Sequence, residues 1–381
     1  MNIQQIEDQN LIPIYQKRDI VLVKGNGCYL FDENNNEYLD LASNYGANIL
    51  GYNNINFNNA LKSQIDRLTN CHSSFYNDTR AALLSKLNNL FPNFKSFICN
   101  TGTESVEAAL KFAKIISNKD EIISAKRSYH GRTLGALSAT GIPKYQKPFQ
   151  PLIPNFKQIN FNDINDLIKN ISHNTAAILL EPIQGESGVN IPNINYLKQV
   201  KNLCVKNNIL LILDEIQTGF RTGKYLAADH FNVEPDIFCL SKGLGNGFPV
   251  ALTLVHNNVF NNIARGSHGT TFGSNPMACA ASLKTLEEIA NNQLLQNSKN
   301  MGEYFLIKLN NINSPIVREV RGLGLMIAIE LKQKAGKYVK ALQEEGILVM
   351  SNNNIIRLLP PLIITKEEID LALKKFNKIL C

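Results

Sequence analysis

Between residues 97 and 255 short apolar runs alternate with stretches of helical period. FICN (97–100), EIISA (121–125), AAILLE (176–181), ILLILD (209–214), DIFCLS (236–241) and VALTLV (250–255) read as strands. TESVEAALKFAKIIS (103–117) sets Val106, Ala109, Leu110 and Ala113 on one helical face, and residues 196–207 read as another helix. Strands that are apolar throughout must be covered on both faces. The pattern therefore predicts an α/β fold, a mostly parallel sheet flanked by helices. Ligands of such sheets sit beyond the carboxyl ends of the strands. At 381 residues the chain is too long for one ordinary core. Its ends also differ from its middle. Residues 21–41, VLVKGNGCYLFDENNNEYLDL, have hairpin chemistry, with Gly25 and Gly27 at one turn and asparagines 34–36 at another. Beyond Asn275 come a long helical stretch, an apolar strand at 324–331, a helix at 335–345, a strand pair near 347–358 and a last helix from Lys366. This divides the chain into a large domain, 51–275, and a smaller α+β domain built from both ends, 1–50 and 276–381.

Composition excludes several classes of function. The net charge of +7 could serve nucleic acid, small acidic substrates or an acidic partner protein. Basic residues are spread among acids with no aromatic–basic stripe, which argues against nucleic acid. No apolar run is long enough to cross a bilayer, and MNIQQIEDQN lacks the basic head and apolar stretch of a signal peptide. Seven scattered cysteines with no CxxC pair predict free thiols in a reducing cytoplasm, not a disulfide frame or a metal site.

Three strand ends carry the chemistry. In NTGTES (100–105) a strand passes through a Gly turn into a helix. Thr101 and Glu104 have capping-box spacing, and the free N–H groups of Gly102 and Thr103 can seat a phosphate. Taken alone, this is also an ordinary capped helix. Asp214 ends a buried strand and needs a positive partner, which an internal lysine or arginine could supply. Lys242 follows an apolar strand and precedes Gly243, Gly245 and Gly247. Desolvation there would lower its pKa and make it nucleophilic, although a lysine can also snorkel from a strand end. Together the three supply an anion seat, a buried carboxylate and a desolvated amine at one sheet edge. Pyridoxal 5′-phosphate asks for this set, with Asp214 opposite its pyridine nitrogen.

NTGTESVEAALKFAK, SYHGRT, EPIQGESGV, LDEIQTGFRTGK, LSKGLGNGFPV, GSHGTTFGSNPMACAAS and IIRLLPPL occur here in the order seen in class-III aminotransferases, pyridoxal-phosphate enzymes of fold type I. The resemblance runs from about Val21 to the C-terminus. It implies that Lys242 carries the cofactor and afterwards moves the substrate proton. Asp214 would face the ring nitrogen, Gln217 the cofactor's O3′, Gly102 and Thr103 the phosphate, and Tyr129 the ring face. Thr271 would reach the phosphate from the neighbouring subunit of a homodimer with shared active sites. Arg132 and Arg357 match carboxylate binders, a role that suits the planar guanidinium fork. Glu186 matches a residue that covers Arg357 and releases it when glutamate arrives. The resemblance gives His130 a structural role and has Glu181 and Glu215 position their neighbours.

The nearest subgroup resembles acetylornithine aminotransferase, including archaeal relatives that act on lysine or ornithine attached to an acidic carrier protein. The expected reaction moves the δ-amino group of N-acetylornithine to 2-oxoglutarate. The alternatives are the carrier-linked substrate and then ornithine δ-aminotransferase, whose tyrosines Tyr45, Phe75 and Tyr76 resemble. GFRTG (219–223) is one residue shorter than the usual turn, which leaves the role of Arg221 open. The short turn echoes glutamate-semialdehyde aminomutases, but Gln217 and GSHGTTFGSNP favour an aminotransferase.

Overall fold

The computed structural model describes residues 2–381. A seven-stranded sheet forms the centre of the molecule. Its spatial order is Phe94–Cys99, Ala251–His256, Ile237–Leu240, Leu210–Asp214, Thr175–Leu180, Glu121–Ala125 and Phe156–Ile159. The last five strands pair in parallel. Ala251–His256 runs antiparallel to both of its neighbours. The two strands beside it therefore point the same way. As a result, the carboxyl ends of Phe94–Cys99, Ile237–Leu240 and Leu210–Asp214 share one edge of the sheet with those of Thr175–Leu180 and Glu121–Ala125.

Alternation along the strands fills two cores. From Leu210–Asp214, Leu211 and Leu213 enter one apolar cluster, while Leu210 and Ile212 enter another. The second cluster also takes Val106, Ala109, Leu110 and Ala113, the face predicted for the helix Gly102–Ser117. Each fully buried Leu or Ile of this strand is worth about 1.5–3 kcal/mol relative to exposure. That burial holds Asp214 at a fixed height above the sheet. The helix begins with both halves of the expected capping box between Thr101 and Glu104.

The chain ends build two further four-stranded sheets. Leu22–Asn26, Tyr29–Asp32 and Glu37–Asp40 form a meander, and Ile347–Leu348 from the far end of the chain joins it in parallel. Val317–Leu323, Met326–Leu331, Ile355–Leu358 and Met350–Asn352 form the other sheet. The apolar stretch near 347–358 is thus split between two sheets and is not one simple pair. All seven cysteines are free, and among the described residues no helix is long and apolar enough to cross a membrane. Among the described residues, no group of three or more His, Cys, Asp or Glu side chains is placed to hold a metal ion.

Candidate active site

A cleft of about 230 Å³ opens at the shared carboxyl edge of the sheet. It is lined by Gly102, Thr103, Tyr129, Arg132, Asp214, Gln217 and Lys242, together with His130, Gly131, Glu181 and Ile183. Segments more than a hundred residues apart in sequence meet here because their strands end at the same level.

The floor of the cleft is acidic and buried. Asp214 is 4% exposed. Its Oδ2 accepts from His130 Nδ1 at 2.8 Å, and its Oδ1 accepts from the Ile216 N–H at 3.1 Å. No lysine or arginine pairs with it among the described residues. The internal Lys/Arg partner left open by the sequence is therefore not the one this chain uses. His130 takes that place, and its Nε2 is buried without a partner. Glu181 accepts from the Tyr129 N–H at 2.6 Å and the Gly185 N–H at 2.8 Å, fixing the two loops that flank Asp214. Burial, opposed by His130 and reinforced by Asp214, pushes the Glu181 carboxyl up to about 7. Glu215 accepts from the Ala227 and Ala228 N–H groups at 3.0 and 2.8 Å and also bonds Thr218 Oγ1.

Lys242 follows the strand Ile237–Leu240 after the single residue Ser241 and has φ +43°, a left-handed conformation that favours glycine. Part of its side chain faces the cleft, yet burial holds its amine below the ordinary lysine range, against the pull of Asp214, Glu186 and Glu181. Lowering the pKa in this way makes the amine a better nucleophile and base than an ordinary lysine. Gly131 has φ +138°, and a Cβ there would lie 2.3 Å from Thr103 Oγ1, so only glycine lets the 129–132 turn close on the helix start. Gln217 gives one amide hydrogen to the Tyr45 carbonyl at 3.3 Å, while its Oε1 is buried without a partner.

The outer wall carries the two arginines. Arg357 is 1% exposed and is bonded to Glu186 Oε2 at 2.6 Å and to the Gly185 carbonyl at 3.2 Å. Its Nε has no partner. Arg132 is exposed and, among the described residues, pairs with no carboxylate; its side chain's one hydrogen bond there is from Nε to Tyr129 Oη at 3.4 Å. Tyr45 belongs to the turn Ser43–Gly46, in which Ser43, Asn44 and Tyr45 all have positive φ. Its ring lies 5.9 Å from the Arg357 guanidinium.

Arg221, whose role the shortened turn left open, is fully buried. It donates to the carbonyls of Pro360 at 2.6 Å, Leu325 at 3.2 Å and Gly46 at 3.2 Å, and to Ser43 Oγ at 3.4 Å. It therefore ties the Tyr45 turn to the C-terminal part of the chain. Burial lowers its pKa to about 9, so it remains cationic at neutral pH.

Thr271 is exposed and lies outside the cleft of its own chain, and Asn100 Nδ2 bonds the neighbouring Thr270 at 3.2 Å. Two features escaped the sequence reading. The bond between His130 and Asp214 joins residues 84 positions apart. Tyr145, on which Arg132 is stacked, belongs to no motif.

The cleft fits pyridoxal 5′-phosphate on its own observations. It offers an unpaired amine, a buried carboxylate without a cation, an orphaned amide oxygen on Gln217 and a capped helix start at Gly102 and Thr103. Those residues would hold the group, with Tyr129 against its ring.

The Aminotransferase class-III family model matches residues 14–380. The chain is 40% identical over 367 residues to the acetylornithine aminotransferase of Methanosarcina acetivorans, covering 96% of this chain and 92% of that one. It is 44% identical over 356 residues to a Pyrococcus horikoshii protein provisionally named LysW-aminoadipate semialdehyde/glutamate semialdehyde transaminase, covering 93% and 94%. Among solved structures, the ornithine aminotransferase of Toxoplasma gondii superposes with a TM-score of 0.95 at 34% identity, covering 99% of this chain and 94% of that one.

Proposed function

Since the chain belongs to the class-III aminotransferases, which are pyridoxal-phosphate-dependent transaminases, we propose that it moves the δ-amino group of N-acetylornithine to 2-oxoglutarate. The products are N-acetylglutamate 5-semialdehyde and glutamate, a step of arginine biosynthesis.

The observation that carries this reading is the unequal state of the two arginines beside Lys242. Arg132 is uncovered at the mouth, whereas Arg357 is covered by Glu186 at 2.6 Å. A donor with one carboxylate at one end and an amine at the other needs one free arginine and one neutralised wall. A dicarboxylate acceptor needs both arginines, and it can displace Glu186 from Arg357. The carboxylates lining the cleft, Glu181 and Asp214, have their oxygens engaged at the floor. None of them is free at the mouth to neutralise a free α-ammonium beside Arg132, so an acylated nitrogen suits the site better.

When bound, the cofactor supplies an electron sink for carbanion character at the substrate carbon. Lys242 carries it and moves the proton at that carbon with its desolvated amine. Asp214, oriented by His130, holds negative charge at the ring-nitrogen side. Tyr129 and Ile183 narrow the cleft and exclude water. Each copy contributes Thr271 to its partner's phosphate turn in a homodimer. The buried free thiols suit the cytoplasm.

A substrate panel with 2-oxoglutarate, scored by glutamate produced, tests the reading. N-Acetylornithine should exceed free ornithine in kcat/KM by at least about tenfold. Equal or better use of ornithine would make the protein an ornithine δ-aminotransferase instead, and turnover without any acceptor would make it an aminomutase. Lys242→Ala should abolish turnover and the cofactor absorbance that borohydride fixes at this lysine.

A second reading, lysine or ornithine linked to an acidic carrier protein, draws support from the exposed Arg132 at the mouth, from the exposed Lys144 beside Tyr145 and from the net charge of +7. Higher turnover of a carrier-linked donor than of free N-acetylornithine would favour it.

A further inference from the structure

We infer that Tyr145 is a specificity-determining positioning residue, whose ring is the platform that holds the Arg132 guanidinium over the cleft. This rests on the reading of Arg132 as a carboxylate binder. An exposed arginine is a poor binder unless something restricts its rotamers, because ordering a long side chain costs entropy at the moment of binding. Arg132 has no carboxylate partner, and its single hydrogen bond, to Tyr129 Oη, is long at 3.4 Å. Its Cζ lies 3.7 Å from the centroid of the Tyr145 ring but 5.7 Å from that of Tyr129. Stacking on Tyr145 uses the π face of the guanidinium and leaves its in-plane N–H fork free. An acid in the same place would have held Arg132 equally well, but it would have competed with the substrate.

Tyr145 is itself held in place. It lies in the short helix Pro143–Gln146, its N–H bonds the Ile142 carbonyl at 3.0 Å, and Gln146 Nε2 bonds the Leu137 carbonyl at 3.1 Å. Its ring meets that of Tyr129 edge-on, with centroids 5.9 Å apart and planes at 79°. Burial raises the pKa of its hydroxyl, and the charges of Glu186, Arg132 and Arg357 act on it as well. Lys144 lies farther out, 4.9 Å from the same ring.

Steady-state kinetics of the holoenzyme, combined with binding of the non-reacting dicarboxylate glutarate, test this. Tyr145→Leu and Tyr145→Ala should raise the KM for 2-oxoglutarate and the Kd for glutarate by about tenfold, with kcat and the cofactor absorbance little changed. Tyr145→Phe should return both to the wild-type range, since the ring and not the hydroxyl does the holding. Arg132→Gln should raise the same constants, and adding Tyr145→Leu to it should bring no further loss. If Arg132→Gln weakens binding while both Tyr145 variants bind normally, the platform is refuted and the arginine's role stands. If Arg132→Gln binds normally, the role of Arg132 fails and the platform with it. A fall in kcat with unchanged KM in the Tyr145 variants would also overturn the inference.

Discussion

Arg221 and Glu215 show how single buried charges set the shape of this site. Arg221 satisfies four acceptors from three segments, none of them a carboxylate, with only the more distant charge of Asp40 to favour its cation. Arg221→Leu would leave those acceptors unpaired at a cost of about 3 kcal/mol or more. The expected result is a lower Tm together with a raised KM, because the turn that carries Tyr45 loses its anchor, and Arg221→Lys should recover only part of either. Glu215 predicts a pH dependence. Burial raises its carboxyl from 4.5 to about 7 despite three donors. A raised folded-state pKa means the native protein binds a proton that the unfolded chain releases. The contribution is therefore complete below about pH 4.5 and lost as pH rises through about 7, amounting to about 3 kcal/mol at most. Unfolding free energies of wild type and Glu215→Gln, compared from pH 5 to 8, should converge or cross as pH rises; parallel curves would refute the assignment. Lys242 and Asp214 were legible in the sequence because a charged residue capping an apolar strand has few ordinary reasons to be there. Arg221 was not, because its partners are mostly backbone carbonyls, which leave no trace in residue type. His130 was not, because hydrogen bonding to Asp214 depends on how two strand ends are brought together.

At the scale of elements, the strands and helices named between 97 and 255 followed from periodicity, but the edge strand Phe156–Ile159 and the helices Leu134–Ala139 and Ile164–Asn170 did not stand out, being short. The helix Tyr196–Asn207 and the strand Glu121–Ala125 have the predicted bounds. The direction of Ala251–His256 could not be read, because a mostly apolar, buried strand carries no mark of its direction. The stretch 347–358 misled for a related reason. Ile347–Leu348 and Met350–Asn352 are separated by the single residue Val349, yet they pair in different sheets. Turns matter more than strands for the cofactor. Gly131→Ala would force a Cβ to within 2.3 Å of Thr103 Oγ1 at φ +138°. Strain at such a residue alone is about 1–3 kcal/mol. The turn would relieve it by moving away from the helix start proposed to seat the phosphate. Purified Gly131→Ala should therefore hold less pyridoxal phosphate and lose it faster on dialysis, with its melting temperature lowered less than its cofactor content.

At the scale of the whole molecule, the position of Thr271 is the informative one. Next to it Phe272 is 61% exposed, and across from that segment Phe75 and Tyr76 are 68% and 106% exposed. The two segments are joined, since Ser73 Oγ meets Ser274 Oγ at 2.7 Å and Arg80 Nε donates to the Ser274 carbonyl at 3.0 Å. Asn100 links the same strip to the turn before Gly102 through Thr270. Three neighbouring exposed aromatics beside the proposed phosphate seat are an unusual surface for a monomer, and a second copy would cover them. If the sites are shared, a chain with Lys242→Ala and a chain with Thr271→Ala should complement each other. In the mixed dimer, one site combines an intact Lys242 with the intact Thr271 of the Lys242→Ala chain. Random pairing then restores normal cofactor affinity at roughly a quarter of all sites. The Thr271→Ala homodimer alone should bind the cofactor about tenfold more weakly, the value of one hydrogen bond to a charged group. Phe272→Asp should shift the sedimentation profile toward the 42.5 kDa monomer and lower cofactor content with it. A wild-type protein that sediments as a monomer with full cofactor, or a mixture no better than its parents, would rule out Thr271 acting across an interface.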